Sequence, residues 1–241
     1  MPLDYEALQS TVLSDVPVSY TERDVMLYAL GVGLGSDPLS SDELPYVSEH
    51  AGLRTLPTLA SMIIPDTIVA NSGVDLRQIL HRSQSMEIFR PLPASASLLA
   101  NQRVVSVFDR GRGRGAEIEL ETELRLARDD TVVCTAGSRV IARADGGFGG
   151  PSTPVRSRHR MPNRDPDLVC DLPTRPDQAL LFRLCGDLNP LHADPTMARQ
   201  AGFDAPILHG RCTYGIACHA ILKTVCDYDF TLIGSIEVRF S

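Results

Sequence analysis

The sequence predicts an α+β fold in which a curved antiparallel sheet wraps a short buried helix. Four strand-like stretches follow one another closely, and strands joined by tight turns form an antiparallel meander. A segment of almost wholly apolar residues precedes them at positions 57–64 and suits a buried helix of about two turns. The predicted strands lie near residues 77–90, 97–109, 115–127 and 131–144.

Local signals justify the individual elements. Thr21 is a good N-cap, and the acidic residues Glu22 and Asp24 that follow it suit the first turn of a helix. Residues 116–126 alternate apolar and charged side chains, which is the pattern of a long strand with one wet face. The Gly-Arg-Gly-Arg-Gly run at 111–115 lies between two predicted strands and opens no helix, so a hairpin turn is favoured over a phosphate-binding loop.

The chain divides into two units. Residues 146–168 are rich in glycine, proline and arginine and have the composition of a linker. The arginines at positions 156–164 then belong to a solvated face, with contact to phosphate groups as the alternative. The predicted units are therefore residues 1–145 and residues 169–241, and the second has only one evident strand.

Helices dominate the second unit. Its single strand, near residues 235–240, is expected to be the first strand of a second sheet. A lone edge strand cannot cover an apolar helix, so we expect this sheet to be incomplete at the C-terminus or to be completed by another chain. The predicted helices lie near residues 176–184, 195–201 and 211–226.

Composition argues against several classes of protein. A formal net charge of −7 over 241 residues argues against nucleic acid or an anionic membrane as the main partner. No stretch is apolar for long enough to span a membrane, and the acidic N-terminus has no signal-peptide core. The six cysteines form no Cys-x-x-Cys pair and suit a reducing compartment, so a cytoplasmic location is predicted.

One short run provides the strongest functional signal. Residues 182–194 bring Asp187, Asn189 and His192 within six positions, and Pro190 keeps them out of a regular helix. A carboxylate and an imidazole this close can face one small volume, where one takes a proton from water and the other gives a proton to carbon. Asn189 has donor and acceptor ends and can orient either group. The plainer alternative is a capped turn with a loop histidine.

A second run, Pro-Ile-Leu-His-Gly at 206–210, opens a helix. The first N–H groups of a helix have no intrahelical acceptor and lie at its positive end. Because Gly210 has no side chain, a substrate carbonyl can approach its N–H closely, which suits an oxyanion site for a thioester that becomes an enolate. The alternative is that Gly210 only permits a tight turn.

A metal site is the competing interpretation of these two runs. Together they contain the residue types of a set with two histidines and one carboxylate. No His-x-x-x-His or Cys/His spacing supports that set, so no metal is predicted. The residues concerned are Asp187, His192, Asp194 and His209.

The run 182–194 resembles the hydratase 2 motif of the MaoC-like dehydratases, which are (R)-specific enoyl-CoA hydratases with hot-dog folds. The resemblance covers nearly the whole chain and is to the two-repeat form, which includes the hydratase part of the peroxisomal multifunctional enzyme type 2. It implies a double hot-dog fold, with two antiparallel sheets each wrapping a helix. The first repeat would take the acyl tail and the second would hold the catalytic loop. The further similar stretches are 23–33, 56–58, 80–81, 90–93 and 146–150.

The resemblance also assigns roles to residues. It places the catalytic pair on Asp187 and His192, the conserved asparagine on Asn189 and the thioester-binding amide on Gly210. Arg82 stands where relatives usually have glycine, and relatives often have lysine at the position of Arg110. The implied substrate-contacting residues are His81, Arg82, Arg110, Leu188, Pro190, Leu191 and Phe240.

The activity implied is the reversible addition of water to a trans-2-enoyl-CoA, giving an (R)-3-hydroxyacyl-CoA. The coenzyme A thioester is the substrate, and no metal or redox cofactor is expected. A homodimer or hetero-oligomer is expected, without nucleic acid or membrane as a partner. Two-repeat relatives continue past residue 240 with more strands, so the second repeat is expected to be incomplete. The alternatives are an inactive or partner-dependent acyl-CoA-binding subunit, and a dehydratase acting on polyketide or carrier-bound thioesters.

Overall fold

A computed structural model describes residues 3–155 and 161–240. Within these residues, six strands form one antiparallel sheet in the order β1-β3-β4-β5-β2-β6. The four predicted strands are present as β2 to β5, but only β3, β4 and β5 form the predicted meander, because β2 pairs with β5 and not with β3. Strand β1 was not predicted. The strands are β1 (Val12–Tyr20), β2 (Ile79–Ile88), β3 (Ala96–Asp109), β4 (Ala116–Leu126), β5 (Val132–Ala142) and β6 (Ser235–Arg239).

The helices pack on one face of this sheet or lie in the loops that surround it. The predicted N-cap at Thr21 is confirmed, because the Asp24 carboxylate accepts hydrogen bonds from both the N–H and the hydroxyl of Thr21 at 2.8 Å. The α-helices are α1 (Tyr5–Gln9), α2 (Glu22–Gly31), α3 (Leu44–Val47), α4 (Ala60–Ile63), α5 (Thr67–Asn71), α6 (Gln178–Phe182), α7 (Pro195–Gln200) and α8 (Gly210–Thr224). No helix in the described part of the chain combines the length and the apolarity needed to cross a membrane.

The main hydrophobic core lies between the inner face of the sheet and the helices α2, α4 and α8. The predicted buried segment 57–64 is a short 3₁₀ turn followed by α4, and Ala60 in it is wholly buried. Tyr28 from α2 and Tyr214 from α8 meet Leu124 of the sheet in this core. A curved sheet around a short apolar helix is therefore the architecture of the first unit, as the sequence predicts.

Strand β6 does not begin a second sheet, which corrects the prediction for residues 235–240. It pairs antiparallel with β2, from Ser83 opposite Arg239 to Glu87 opposite Ser235, and so extends the existing sheet by one strand. The physical reason is that the outer edge of β2 presents unpaired N–H and C=O groups, which β6 satisfies. The second unit is thereby fastened to the first by main-chain hydrogen bonds.

The predicted linker contains no helix or strand among its described residues. Its one regular feature is an isolated bridge between Ser152 and Asp109, and the Asp109 carboxylate accepts hydrogen bonds from the N–H groups of Gly147 and Gly149. Three of the linker arginines, Arg156, Arg158 and Arg160, lie outside the described residues. The linker therefore starts at the β3–β4 end of the sheet and leads toward α6.

The face of β4 expected to be wet is only partly exposed. Glu117 is buried and Glu119 is half-buried, and Glu119 forms an ion pair with Arg139 of β5 at 3.3 Å. Side chains of the neighbouring strands on both sides cover the base of these glutamates. The alternation of apolar and charged residues along one strand does not predict this cover.

Candidate active site

The loop between α6 and α7 positions the predicted catalytic residues. Gly186 ends the preceding helical turn with φ +124°, a value that favours glycine. The Asp187 carboxylate accepts the N–H of Asn189 at 3.2 Å, and the Asn189 side chain accepts the N–H of Leu191 at 3.0 Å. Asn189 is thus the N-cap of the 3₁₀ turn Pro190–His192 and orients His192 through the backbone.

His192 is held in one tautomer. The residue is 8% exposed, and its Nδ1 lies 2.8 Å from the main-chain oxygen of Ile207. A carbonyl oxygen only accepts, so Nδ1 carries the proton and Nε2 carries the lone pair. Nε2 is therefore the atom of His192 that can accept a proton from a bound water.

His209 holds both members of the pair in place. Its Nε2–H donates to the main-chain oxygen of Asp187 at 3.1 Å, and its ring stacks on that of His192 with 3.8 Å between centroids. Phe182 packs near the same ring, at 5.1 Å. Burial, followed by the neighbouring His192, lowers the pKa of His209 to about 4, so His209 is neutral at neutral pH. The sequence placed His209 only in the metal alternative, and its adjacency to Gly210 was the available signal.

Asp187, His192 and His209 form a cluster in which one donor atom from each lies within 4.8 Å of the others. Asp194, the fourth residue of the metal alternative, is not in it, because its carboxylate accepts the N–H of Thr196 at 2.7 Å and caps α7. The cluster is better arranged for proton transfer between Asp187, His192 and a water molecule.

Gly210 is the first residue of α8 and lies against the sheet. A Cβ atom there would lie 3.3 Å from the Cβ of His81 and 3.4 Å from the ring of Phe240. Its N–H has no intrahelical acceptor, because it belongs to the first turn. The absence of a side chain therefore leaves an amide donor open at the positive end of a helix of 15 residues.

The sheet contributes the wall opposite the loop, at the end where β2 meets β6. Phe240 and Arg82 exchange two hydrogen bonds, from the Phe240 N–H to the Arg82 oxygen and from Arg82 Nη1 to the Phe240 oxygen, each 3.0 Å long. His81 packs on Phe240 with 5.0 Å between ring centroids, and its Nε2 lies 3.1 Å from Ser138 Oγ. Burial and then the charge of Arg211 lower the pKa of His81 to about 4.

One cavity of about 1200 Å³ connects these groups, and every residue predicted for the site lines it. Leu188 and Pro190 are exposed at its rim, whereas Leu191 is buried. Arg110 lies at the β3–β4 turn, where Arg114 and Arg143 join it. These two arginines were not predicted, since only the fold brings three different strand ends together.

An ion pair also lines the cavity and was not predicted. Arg211, next to Gly210, donates to both carboxylate oxygens of Asp66, at 2.5 and 3.1 Å. The guanidinium group is largely buried, whereas the carboxylate is mostly exposed. The pair joins the start of α8, next to Gly210, to the segment before α5.

Two family models match this chain. The MFE-2 hydratase 2 N-terminal domain matches residues 18–144, and the MaoC like domain matches residues 158–241. The first match runs from the last residues of β1 through β5, and the second contains the loop between α6 and α7, α8 and β6. The two matched segments therefore meet at the cavity described above.

Similar proteins agree with these matches. A peroxisomal enoyl-CoA hydratase 2 of Arabidopsis thaliana is 40% identical, over 95% of this chain and 79% of its own length. Enoyl-CoA hydratase ChsH3 of Mycobacterium tuberculosis is 38% identical, over 100% and 85% respectively. The crystal structure of a MaoC-like dehydratase from Phytophthora capsici superposes with a TM-score of 0.82 at 29% identity, covering 99% of this chain and 83% of that one, and confirms the predicted fold. This chain therefore belongs to the MaoC-like family and, within it, to the hydratase 2 group.

Proposed function

We propose that this protein catalyses the reversible hydration of a trans-2-enoyl-CoA to an (R)-3-hydroxyacyl-CoA. The observation that supports it most is the placing of the Asp187 carboxylate and a ring nitrogen of His192 within 4.8 Å of each other, in the cavity that the Gly210 amide also lines. Acid and base on the same side of a flat enoyl group deliver both parts of water to one face. The names of the relatives agree with this reaction.

Water would bind between Asp187 and His192. One of the two takes a proton from the water as its oxygen bonds to C3 of the substrate. The electrons of the C2–C3 double bond move onto the thioester oxygen, and the other group, protonated, gives a proton to C2. The lone pair on His192 Nε2 suits the role of base, with Asp187 as the acid. The reverse sequence of the same steps dehydrates the product.

The Gly210 N–H would donate a hydrogen bond to the thioester oxygen and so stabilise the negative charge that builds up there. Donors arranged in advance at such a position typically contribute about a hundredfold or more to the rate. The helix of which Gly210 is the first residue adds its positive end, and the pair of Arg211 with Asp66 keeps that end in position. The charge therefore develops at a site that needs no rearrangement.

The arginine end of the cavity suits the phosphate groups of coenzyme A. Arg110 and Arg114 are within the cavity wall at the β3–β4 turn, and Arg82 lies beside the reacting centre. Arginine matches phosphate oxygens in geometry as well as in charge. The overall charge of −7 does not oppose this, since only the local basic group meets the ligand.

The direct test is hydration of a series of trans-2-enoyl-CoA esters by the purified protein, with the product resolved on a chiral column. We expect the (R)-3-hydroxyacyl ester and reversal from that isomer alone. Formation of the (S) product would contradict the proposed geometry. The same acyl groups on coenzyme A and on acyl carrier protein would be compared, and a clear preference for the carrier would favour the dehydratase alternative.

We further propose that the reaction needs no metal or redox cofactor. The chemistry above uses only the side chains of the cluster and one amide. Dialysis against a chelator should leave the rate unchanged. A loss of activity that zinc restores would contradict this and favour a metal at Asp187, His192 and His209.

Three broader properties remain proposals. The composition suits a cytoplasmic protein, and the two-unit fold suits a first repeat at residues 1–145, a linker at 146–168 and a second repeat at 169–241. A homodimer or hetero-oligomer would supply cover for the edge of β6, which pairs with β2 alone among the described strands. Cell fractionation and light scattering of the purified protein would test the location and the assembly.

A further inference from the structure

A band of polar side chains crosses the otherwise apolar inner face of the sheet. Four adjacent strands contribute one side chain each, and all four line the cavity. The strand register places two of them directly opposite each other in one row and the other two opposite each other in the next. They are Gln84 opposite Ser138, and Thr122 opposite Gln102.

One end of the band lies at the reacting centre, because Ser138 Oγ is 3.1 Å from His81 Nε2, whereas the pair of Gln102 and Thr122 lies farther from the arginines along the strands. The residue pairs of β4 and β5 that lie nearest the β3–β4 turn include Val140, and Val140 is paired with His81 of β2. The pair of Thr122 and Gln102 lies farther from that turn along the strands. Gln102 is on the third strand from the strand of His81, which is about 14 Å across the sheet. A thioester at Gly210 with its coenzyme A toward the arginines would extend its acyl tail toward Gln102.

Gln102 is buried with its hydrogen bonds incomplete. It is 4% exposed and its partner Thr122 is 2% exposed. Gln102 Nε2 donates to Thr122 Oγ1 at 3.0 Å, whereas Gln102 Oε1 has no hydrogen-bond partner among the residues that the structure describes. An acceptor that is removed from water and left unpaired costs stability.

A purely structural role explains this pair poorly. Its neighbours on the same face are Leu120 and Ala136, and apolar side chains at both positions would fill the same space. Replacing both partners of a buried hydrogen bond by apolar groups is often nearly neutral, whereas an orphaned acceptor is costly. Because Gln102 lines the cavity, a ligand group that completes its hydrogen bonds is the better explanation of the unpaired oxygen.

We propose that the acyl tail of the natural substrate carries a hydroxyl group that bonds to the Gln102 and Thr122 pair. This rests on the proposed function. A hydroxyl group donates and accepts, so it satisfies the amide whichever end faces the cavity. The position of the pair, far from the reacting carbons, places this hydroxyl on the distal part of a long acyl group rather than at C3.

The test compares a saturated acyl-CoA with its ω-hydroxy counterpart at each of several chain lengths. Titration calorimetry gives the Kd of both, and matched trans-2-enoyl esters give kcat/KM. At the chain length that reaches Gln102, we expect the hydroxylated ligand to bind about five- to tenfold more tightly, as one added hydrogen bond predicts.

Variants locate the effect. Gln102→Leu should abolish the preference and bind the plain acyl-CoA at least as well as the wild type does. The isosteric Thr122→Val should reduce the preference, and it provides the test in the case that Gln102→Leu does not fold. Glu121→Gln is the matched control, because Glu121 lies on β4 but faces outward and pairs with Arg103 at 2.7 Å. It should retain the full preference.

Two results would overturn the inference. One is equal binding of plain and hydroxylated ligands at every chain length, and the other is a preference that survives in both variants. Turnover of plain enoyl esters without any preference would remove this inference and leave the proposed function intact. Absence of turnover with a preference in binding would instead remove the hydratase function and leave an acyl-CoA-binding protein with a hydroxyl site.

Discussion

The region up to residue 142 and the region from residue 178 contribute differently to the same cavity. The first supplies five of the six strands and with them the wall that a substrate lies against. The second supplies the residues proposed for proton transfer, on a loop, and the proposed amide donor, at the start of a helix, and its one strand pairs with the sheet of the first region. We therefore expect substitutions in the two regions to have different kinetic signatures.

The largest effect is expected for Asp187→Asn in the second region. The shape of the side chain is kept while the proton-transfer group is lost, so kcat should fall by about a hundred- to ten-thousandfold with the melting temperature nearly unchanged. The measurement is the initial rate of enoyl-CoA hydration, with calorimetry for stability. Asp194→Asn, which keeps the cap of α7, is the matched control and should stay active. A fully active Asp187→Asn protein would contradict the proposed role of the second region in proton transfer.

Gly210→Ala should give the next largest effect. The added methyl group would meet His81 and Phe240 at 3.3 to 3.4 Å, so the amide must move from its position at the cavity. We expect kcat to fall about tenfold or more, since part of the oxyanion stabilisation is lost. Gly234→Ala is a suitable control because nothing lies within 4 Å of a Cβ at that position. Equal rates for the two variants would contradict the role of Gly210.

Acid should destabilise the junction of the two regions. The pKa values of His81 and His209 are both lowered from 6.5 to about 4, chiefly by burial. Between these pH values the two histidines are therefore more protonated in the unfolded chain than in the folded protein. Stability is therefore unaffected above pH 6.5 and falls as the pH drops from 6.5 toward 4, by about 1.4 kcal/mol per pH unit for each histidine. His209→Gln, which keeps a donor for Asp187, should remove the part of that slope that His209 contributes, as measured by urea denaturation at several pH values. An unchanged slope would show that His209 is not the group responsible.

Arg110→Ala in the first region should have the smallest effect, and this effect should be on KM and not on kcat. Arg110 is partly exposed, so its contact with a phosphate group is screened, and we expect KM for the coenzyme A ester to rise about fivefold with little change in kcat. A short thioester without the nucleotide should be unaffected. Arg128→Ala, at the β4–β5 turn outside the cavity, is the control. A fall in kcat alone would contradict a binding role for the first region.

The meander was predictable because residues 116–126 alternate apolar and charged side chains and because turn residues separate β3, β4 and β5, each of which is longer than ten residues. β1 was missed for a local reason. Pro17 lies inside it, and Asp15 with φ 52° shifts the register between Leu13 and Val16, so the alternation is broken. Such a strand is tolerated because it lies at the sheet edge.

The site was predictable where its residues are close in sequence. Asp187 and His192 share one loop, and their spacing suggests joint action. The contacts of His209 with both, and of Arg211 with Asp66, depend on how the loop and α8 meet after folding. The pairing of β6 with β2 is of the same kind, since a five-residue strand pattern contains no information about its partner.

The bonds between Arg82 and Phe240 also affect how the protein reaches its folded state. They join positions far apart in the chain, and contacts of high sequence separation form slowly. During synthesis the meander leaves the ribosome well before residues 235–240, so the edge of β2 beside His81 is unpaired for that interval. The unfinished chain therefore exposes an unpaired strand edge beside the candidate active site until β6 has been synthesised and has paired with β2.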